Sequence, residues 1–274
     1  MARRIGWFLA ALLAAGGLTL LLRSLEAGFI YFPAREYDAL PRDLGLAAEE
    51  LSLESKGGAR LAGWWIRGDG RRALLYFHGN AGNASHRLER AGILVQQLGL
   101  DVVLVDYRGY GRSTGRPDED GLYADGEAIW QAAAARGFAP ERIVLFGESL
   151  GCAVAIETAV RRRCAGVILE TPFASIAAMA RRYYPFIPPF LIATKYDNEA
   201  KIAGLAVPKL IVAAERDDVV PPEHARRLFE AARGPKEFYS IRGAAHNDTY
   251  VVGGREYVEV WRRFLESLPA SAAQ

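Results

Sequence analysis

Short unbroken apolar runs recur along most of the chain: ALLYF at 73–77, VVLVD at 102–106, RIVLFG at 142–147, GVILE at 166–170 and KLIVAA at 209–214. Runs of this length with no polar face are the pattern of strands buried on both sides. Ahead of them, ELSLES and RLAGWWIR flank the turn Lys56-Gly57-Gly58 and alternate, which predicts an antiparallel pair. KEFYSI predicts a last strand, and helix-length stretches fall at 85–98, 119–136, 150–163, 222–233 and 254–268. A β-α-β order of this kind predicts an α/β fold, a mainly parallel central sheet with helices on both faces. The stretch 172–207 breaks the alternation and is expected to form an insertion.

The N-terminus follows another pattern. After Arg3 and Arg4, the run from Ile5 to Leu22 carries no charged residue. As a helix it would reach roughly 27 Å, close to the roughly 30 Å of a bilayer's hydrocarbon core. The run is long for the apolar part of a signal peptide and no clear A-x-A site follows, so residues 1–28 are expected to be an uncleaved single-pass membrane anchor. Residues 29–274 then form the folded domain. Arg23, Arg35 and Arg42 follow the run, so the positive-inside count leaves the topology open. The short basic tail points to a domain outside the cytoplasm.

Composition narrows the classes. At 274 residues, 51% apolar and 24% charged, the chain suffices for one sizeable domain. A net charge of +2 with dispersed arginine pairs excludes a nucleic-acid footprint. Cys152 and Cys164 would lie roughly 18 Å apart along one helix, too far for a disulfide. No spacing of Cys, His and carboxylates suggests a metal cage, and neither a metal nor a cofactor is expected.

In parallel sheets the reacting groups collect at the carboxyl ends of the strands. RIVLF runs into Gly147-Glu148-Ser149-Leu150-Gly151 and then into a helix-forming sequence, so this G-x-S-x-G sits in a strand-turn-helix context. Ser149 is the candidate nucleophile. A hydroxyl needs a base, and the base needs a carboxylate to orient it. Of the four histidines, His78 and His86 precede the serine, against the chain order Ser, acid, His of such sites. His224 opens an amphipathic helix, where a solvent-facing structural role is expected. His246, in a loop of small residues after the last strand, is the candidate base. For the acid, Asp217 and Asp218 follow KLIVAA, with Glu215 a weaker third and Glu170 a rival from the preceding strand. Oxyanion donors are expected from the Leu150 amide and from the glycine-rich loop His78-Gly79-Asn80-Ala81-Gly82-Asn83.

These motifs, together with FIYFPAREY (29–37), VDYRGYGRSTGRP (105–117), ETPFAS (170–175) and ERDDVVPPEHA (215–225), make the chain resemble the membrane-anchored, single-domain α/β hydrolases that include the depalmitoylase-like alpha/beta hydrolase domain-containing proteins and their bacterial relatives. The resemblance implies an α/β-hydrolase fold. It selects Asp217 as the acid and His246 as the base, and it maps the second oxyanion donor onto Asn80 or Ala81. It reads 172–207 as a small helical cap. Most of the aromatic residues there are expected to pack the cap on the core; the sharper expectation is that Tyr183, Tyr184, Phe186 and Phe190 line an apolar acyl pocket. The implied activity is hydrolysis of esters or thioesters, lipid-like substrates among them, by a serine hydrolase at a membrane. Amide hydrolysis by the same triad and a catalytically silent, membrane-anchored binding protein are the rivals.

Overall fold

The computed structural model describes residues 26–269. The apolar run from Ile5 to Leu22 lies outside the described residues, and no helix among those described is long and apolar enough to cross a membrane.

Eight strands form one sheet: β1 (Ala48–Ser55), β2 (Ala59–Ile66), β3 (Ala73–Phe77), β4 (Asp101–Val105), β5 (Ile143–Glu148), β6 (Gly166–Glu170), β7 (Lys209–Ala214) and β8 (Lys236–Ile241). Their spatial order is β8-β7-β6-β5-β3-β4-β2-β1. Strand β2 runs antiparallel to both β1 and β4, and every other neighbouring pair is parallel. The chain reverses spatial direction after β3, and the carboxyl ends of β3, β5, β6, β7 and β8 share one edge. This is the α/β-hydrolase fold. A two-residue parallel bridge also ties Phe32–Pro33 to Ala81–Gly82.

The central strands are buried on both faces, as their unbroken apolar runs require. Leu75 and Phe77 of β3 face one core with Ile129 of helix α2 (Glu119–Ala135) and Val154 of α3 (Gly151–Arg161). Leu74 and Tyr76 face the other, with Leu94 of α1 (Leu88–Leu98). Between β6 and β7 the chain carries α4 (Ile176–Tyr183) and α5 (Asn198–Ile202); α6 (Glu223–Ala231) and α7 (Thr249–Ser267) follow. Side-chain caps start three of these helices: Asp118 accepts from the Gly121 amide, Ser175 from the Ala178 amide and Asp197 from the Ala200 amide. The stretch expected to be helical from 254 is preceded by a short helical segment that begins at Thr249. At Gly254 the backbone leaves the helical region (φ 50°, ψ −129°), so the short segment from Thr249 meets the main helix at a kink there.

Strand β5, α3 and β3 approach so closely that the turn joining β5 to α3 admits only glycine at its flanks. A Cβ on Gly147 would stand 2.5 Å from the Cα of Cys152, and one on Gly151 would collide with the Phe77 carbonyl oxygen. Gly151→Ala is therefore expected to destabilise the domain by about 3 kcal/mol. Urea denaturation should show the midpoint falling with little change in slope.

Candidate active site

Ser149 follows the last residue of β5 and is held at φ 52°, a left-handed conformation that an L residue with a side chain adopts at a cost. Its amide donates to the Glu170 carbonyl of the adjacent strand at 2.9 Å. The turn lifts the side chain out of the sheet at the N-terminus of α3, where the helix dipole favours negative charge.

The two parallel strands beyond β6 bring up the acid and base candidates. Asp217 follows β7 and His246 follows β8. Nδ1 of His246 lies 2.9 and 2.8 Å from the two carboxylate oxygens of Asp217. Both side chains are buried. Oδ1 of Asp217 also accepts from the amides of Val219 and Val220, at 2.9 and 2.7 Å, so the carboxylate is fixed from its own turn. A carboxylate on Nδ1 puts the proton there and leaves Nε2 as the basic nitrogen. Among the described residues no hydrogen bond joins the Ser149 hydroxyl to the imidazole; contacts of this kind often close only on substrate binding.

The rival acids are engaged elsewhere. Asp218 is exposed. Glu215 accepts from the Gly243 amide at 2.7 Å. Glu170 is fully buried against Arg90, Thr249 and Tyr257. His224 is structural, but it is buried rather than solvent-facing: its Nδ1 accepts from the Ala174 amide at 3.1 Å and ties the start of the insertion to α6. Burial and the nearby Arg227 keep its pKa low, consistent with a neutral acceptor.

The loop after β3 is fixed from beneath by a residue that chain order alone had set aside. His78 is fully buried, and its Nδ1 stands 2.8 Å from the Gly79 carbonyl, so that nitrogen carries the proton. Burial, reinforced by Arg87, pushes its pKa down to about 3 and keeps it neutral. The Gly79 carbonyl and the Asn80 N–H belong to one planar peptide, so anchoring the first aims the second. Neither the Asn80 nor the Leu150 amide donates to another backbone group among the described residues. Both residues border the same cavity as Ser149, whereas Ala81 is exposed and paired with Phe32.

Behind the serine sits a buried ionic cluster. Glu148 accepts from Tyr76 at 2.6 Å and from Arg87 at 3.1 Å, with Arg90 at 3.4 Å. Arg90 also binds Glu170 at 2.7 Å. Burial alone would raise the Glu148 pKa; Arg87 and Arg90 outweigh it and draw it down to about 2. The sequence carried a signal for this cluster: Arg90 shares a helical face with the buried Leu94 and stands beside the buried Ala91, where a solvated arginine does not belong.

The cavity over Ser149 holds about 630 Å³ and is almost wholly apolar. Tyr183, Tyr184 and Phe186 line it, as do Phe29 and Met179. Tyr183, Tyr184 and Phe186 thus face this space, with Phe186 78% exposed at the rim, whereas Phe173 and Tyr196 of the same insertion are buried in the core. The side chain of Phe190 lies outside the described residues. Tyr183 also donates to the Val219 carbonyl at 2.6 Å, which joins the insertion to the turn that holds Asp217. Cys152 and Cys164 are free thiols, the first buried and the second half-buried. Among the described residues no cluster of His, Cys, Asp and Glu could hold a metal ion.

Comparison with known proteins agrees with this architecture. A family model described as Hydrolase_4, serine aminopeptidase S33, matches residues 68–196. An uncharacterized protein of Mycobacterium tuberculosis is 38% identical over 92% of this chain and 92% of its own length. The alpha/beta hydrolase domain-containing protein WAV2 of Arabidopsis thaliana is 32% identical over 90% of this chain and 89% of its own. Among solved structures, a Pyrococcus furiosus esterase superimposes with a TM-score of 0.71 at 20% identity, covering 87% of this chain and 98% of that one.

The ionic cluster makes stability depend on pH. Glu148 is held ionised in the folded protein down to about pH 2, against 4.5 ordinarily, so its contribution is complete above about pH 4.5 and is lost as pH falls through 2. Glu148→Gln should cost about 3 kcal/mol at neutral pH by leaving Arg87 without its carboxylate. It should also flatten the fall in stability between pH 4.5 and 2, read from thermal melts across that range.

Proposed function

We propose that this chain, which belongs to the alpha/beta hydrolase family, is a serine hydrolase that cleaves carboxylic esters or thioesters through an acyl-enzyme. The observation that carries the reading is the left-handed Ser149 at the floor of an apolar cavity, on the same sheet edge as the buried Asp217–His246 pair.

In this reading the Ser149 oxygen attacks the substrate carbonyl and its proton passes to Nε2 of His246, while Asp217 holds Nδ1–H and stabilises the imidazolium. The tetrahedral oxyanion accepts from the amides of Leu150 and Asn80. The C–O or C–S bond then breaks, the leaving alkoxide or thiolate takes the proton from His246, and the acyl group stays on Ser149. Water attacks this ester with His246 as base and restores the hydroxyl. The insertion 172–207 acts as a cap whose Tyr183, Tyr184 and Phe186 enclose the acyl chain, favouring lipid-like acyl groups. The exposed apolar rim of the cavity and the uncharged run Ile5–Leu22 support a place for the enzyme at a membrane, tethered by residues 1–28. A second reading, amide hydrolysis by the same triad, is favoured by the aminopeptidase description of the matching family model.

A fluorophosphonate probe should label the wild type and not Ser149→Ala. His246→Ala and Asp217→Asn should each lower kcat by roughly 10³- to 10⁴-fold. With p-nitrophenyl esters, kcat/KM should rise by up to about fourfold per added methylene, the equivalent of about 0.8 kcal/mol, until the cavity is filled. A steady fall from acetate to longer chains would sink the acyl-pocket reading, and a preference for aminoacyl amides over esters would favour the second one.

A further inference from the structure

Three contacts reach Asn80 from outside its own loop. Its side-chain Nδ2 donates to the Ile30 carbonyl at 2.9 Å. Its carbonyl accepts from the Phe32 amide at 2.9 Å and from the Tyr110 hydroxyl at 2.8 Å. Asparagine in a loop ordinarily bonds its own backbone two residues on; this one reaches a carbonyl fifty residues back along the chain. Ile30 and Phe32 belong to the stretch that begins the described residues, and that stretch is pinned along its length. Glu26 accepts from the amides of Ala193 and Thr194 in the insertion, at 3.0 and 2.7 Å. The hydroxyls of Tyr31 and Tyr196 meet at 2.8 Å in a buried contact, and the Ala34 amide donates to the Gly82 carbonyl at 2.9 Å. Phe29 packs edge-on against Tyr184.

We infer that residues 26–34 form a strap that is a working part of the reacting centre. The strap closes one wall of the cavity and, through the Asn80 side chain, sets the position of the Asn80 amide. The inference rests on the reading of that amide as an oxyanion donor. The loop needs such a device. Gly79 and Gly82, the latter at φ 81°, give its backbone conformational freedom, while an oxyanion donor must sit within a few tenths of an ångström of its working distance. His78 restrains the peptide from below, and the strap restrains it from outside. The Asn80 side chain is thus a positioning residue: it touches no substrate and acts through the peptide it holds.

The test uses the full chain in detergent micelles. Asn80→Leu keeps the branching of the side chain and removes its donor to the Ile30 carbonyl; Phe32→Pro removes the amide that donates to the Asn80 carbonyl, the strap's second hold on the loop. Each should lower kcat/KM for a short p-nitrophenyl ester by about 10- to 100-fold, with KM within about twofold and the melting temperature nearly unchanged. Affinity for a trifluoromethyl ketone, which mimics the tetrahedral oxyanion, should fall by the same factor. The double variant should be little worse than the poorer single one, because both substitutions break one device. Should Phe32→Pro fail to fold, Asn80→Leu with the same readouts decides. Wild-type ketone affinity and kcat in Asn80→Leu would overturn the strap's role, and so would a loss confined to KM and melting temperature. A wild type that the fluorophosphonate probe fails to label would overturn the underlying hydrolase reading, and this inference with it.

Discussion

A φ of 52° at Ser149 costs about 1–3 kcal/mol if nothing compensates, and much of the surrounding structure can be understood as what makes that angle tenable. The amide is satisfied by the Glu170 carbonyl of the next strand. The flanking glycines let β5, α3 and the end of β3 close to backbone contact. The residue just before the serine is locked by Tyr76, Arg87 and Arg90. The strain is held by neighbouring elements, which is how the Ser149 side chain can stand clear of the sheet without the turn relaxing.

The ionic cluster behind that turn is unusual in its depth. Burying charges is costly unless each is paired and hydrogen-bonded. Here Arg90 is shared between Glu148 and Glu170, and the carboxylates take further bonds from Tyr76, Thr249 and Tyr257. A packed apolar replacement would match its stability but would not link α1, β5, β6 and α7 at fixed distances. The cluster thus sets geometry directly behind the turn that carries Ser149.

The strand segments, their mainly parallel arrangement and the residues at their ends were largely legible in the sequence, because both-face burial writes itself as unbroken apolar runs. Where local spacing left four carboxylates open, the structure separates them by their partners: Asp217 meets His246, while Glu170 serves the buried cluster. What the sequence did not show depends on contacts between distant segments. His78 was passed over by chain order, yet it holds the peptide beside Asn80. His224 opens a helix that looks solvated, and only the approach of the insertion buries it. The aromatic residues of 172–207 fit a packed cap and a cavity wall equally well in composition; their orientation is a tertiary fact.

The strand order also has a kinetic meaning. Ser149, Asp217 and His246 stand at the ends of β5, β7 and β8, and the central pairing of β3 with β5 joins Ala73 to Ile143. No local hairpin or helix pair brings these three side chains near one another. Parallel pairings of such sequence separation form slowly, since loop-closure entropy is spent before the contacts repay it. During synthesis the constellation cannot assemble until the chain has emerged past β8. A nascent or truncated chain therefore carries Ser149 without the Asp217–His246 pair, and the assembled constellation is itself a report that folding has reached its end.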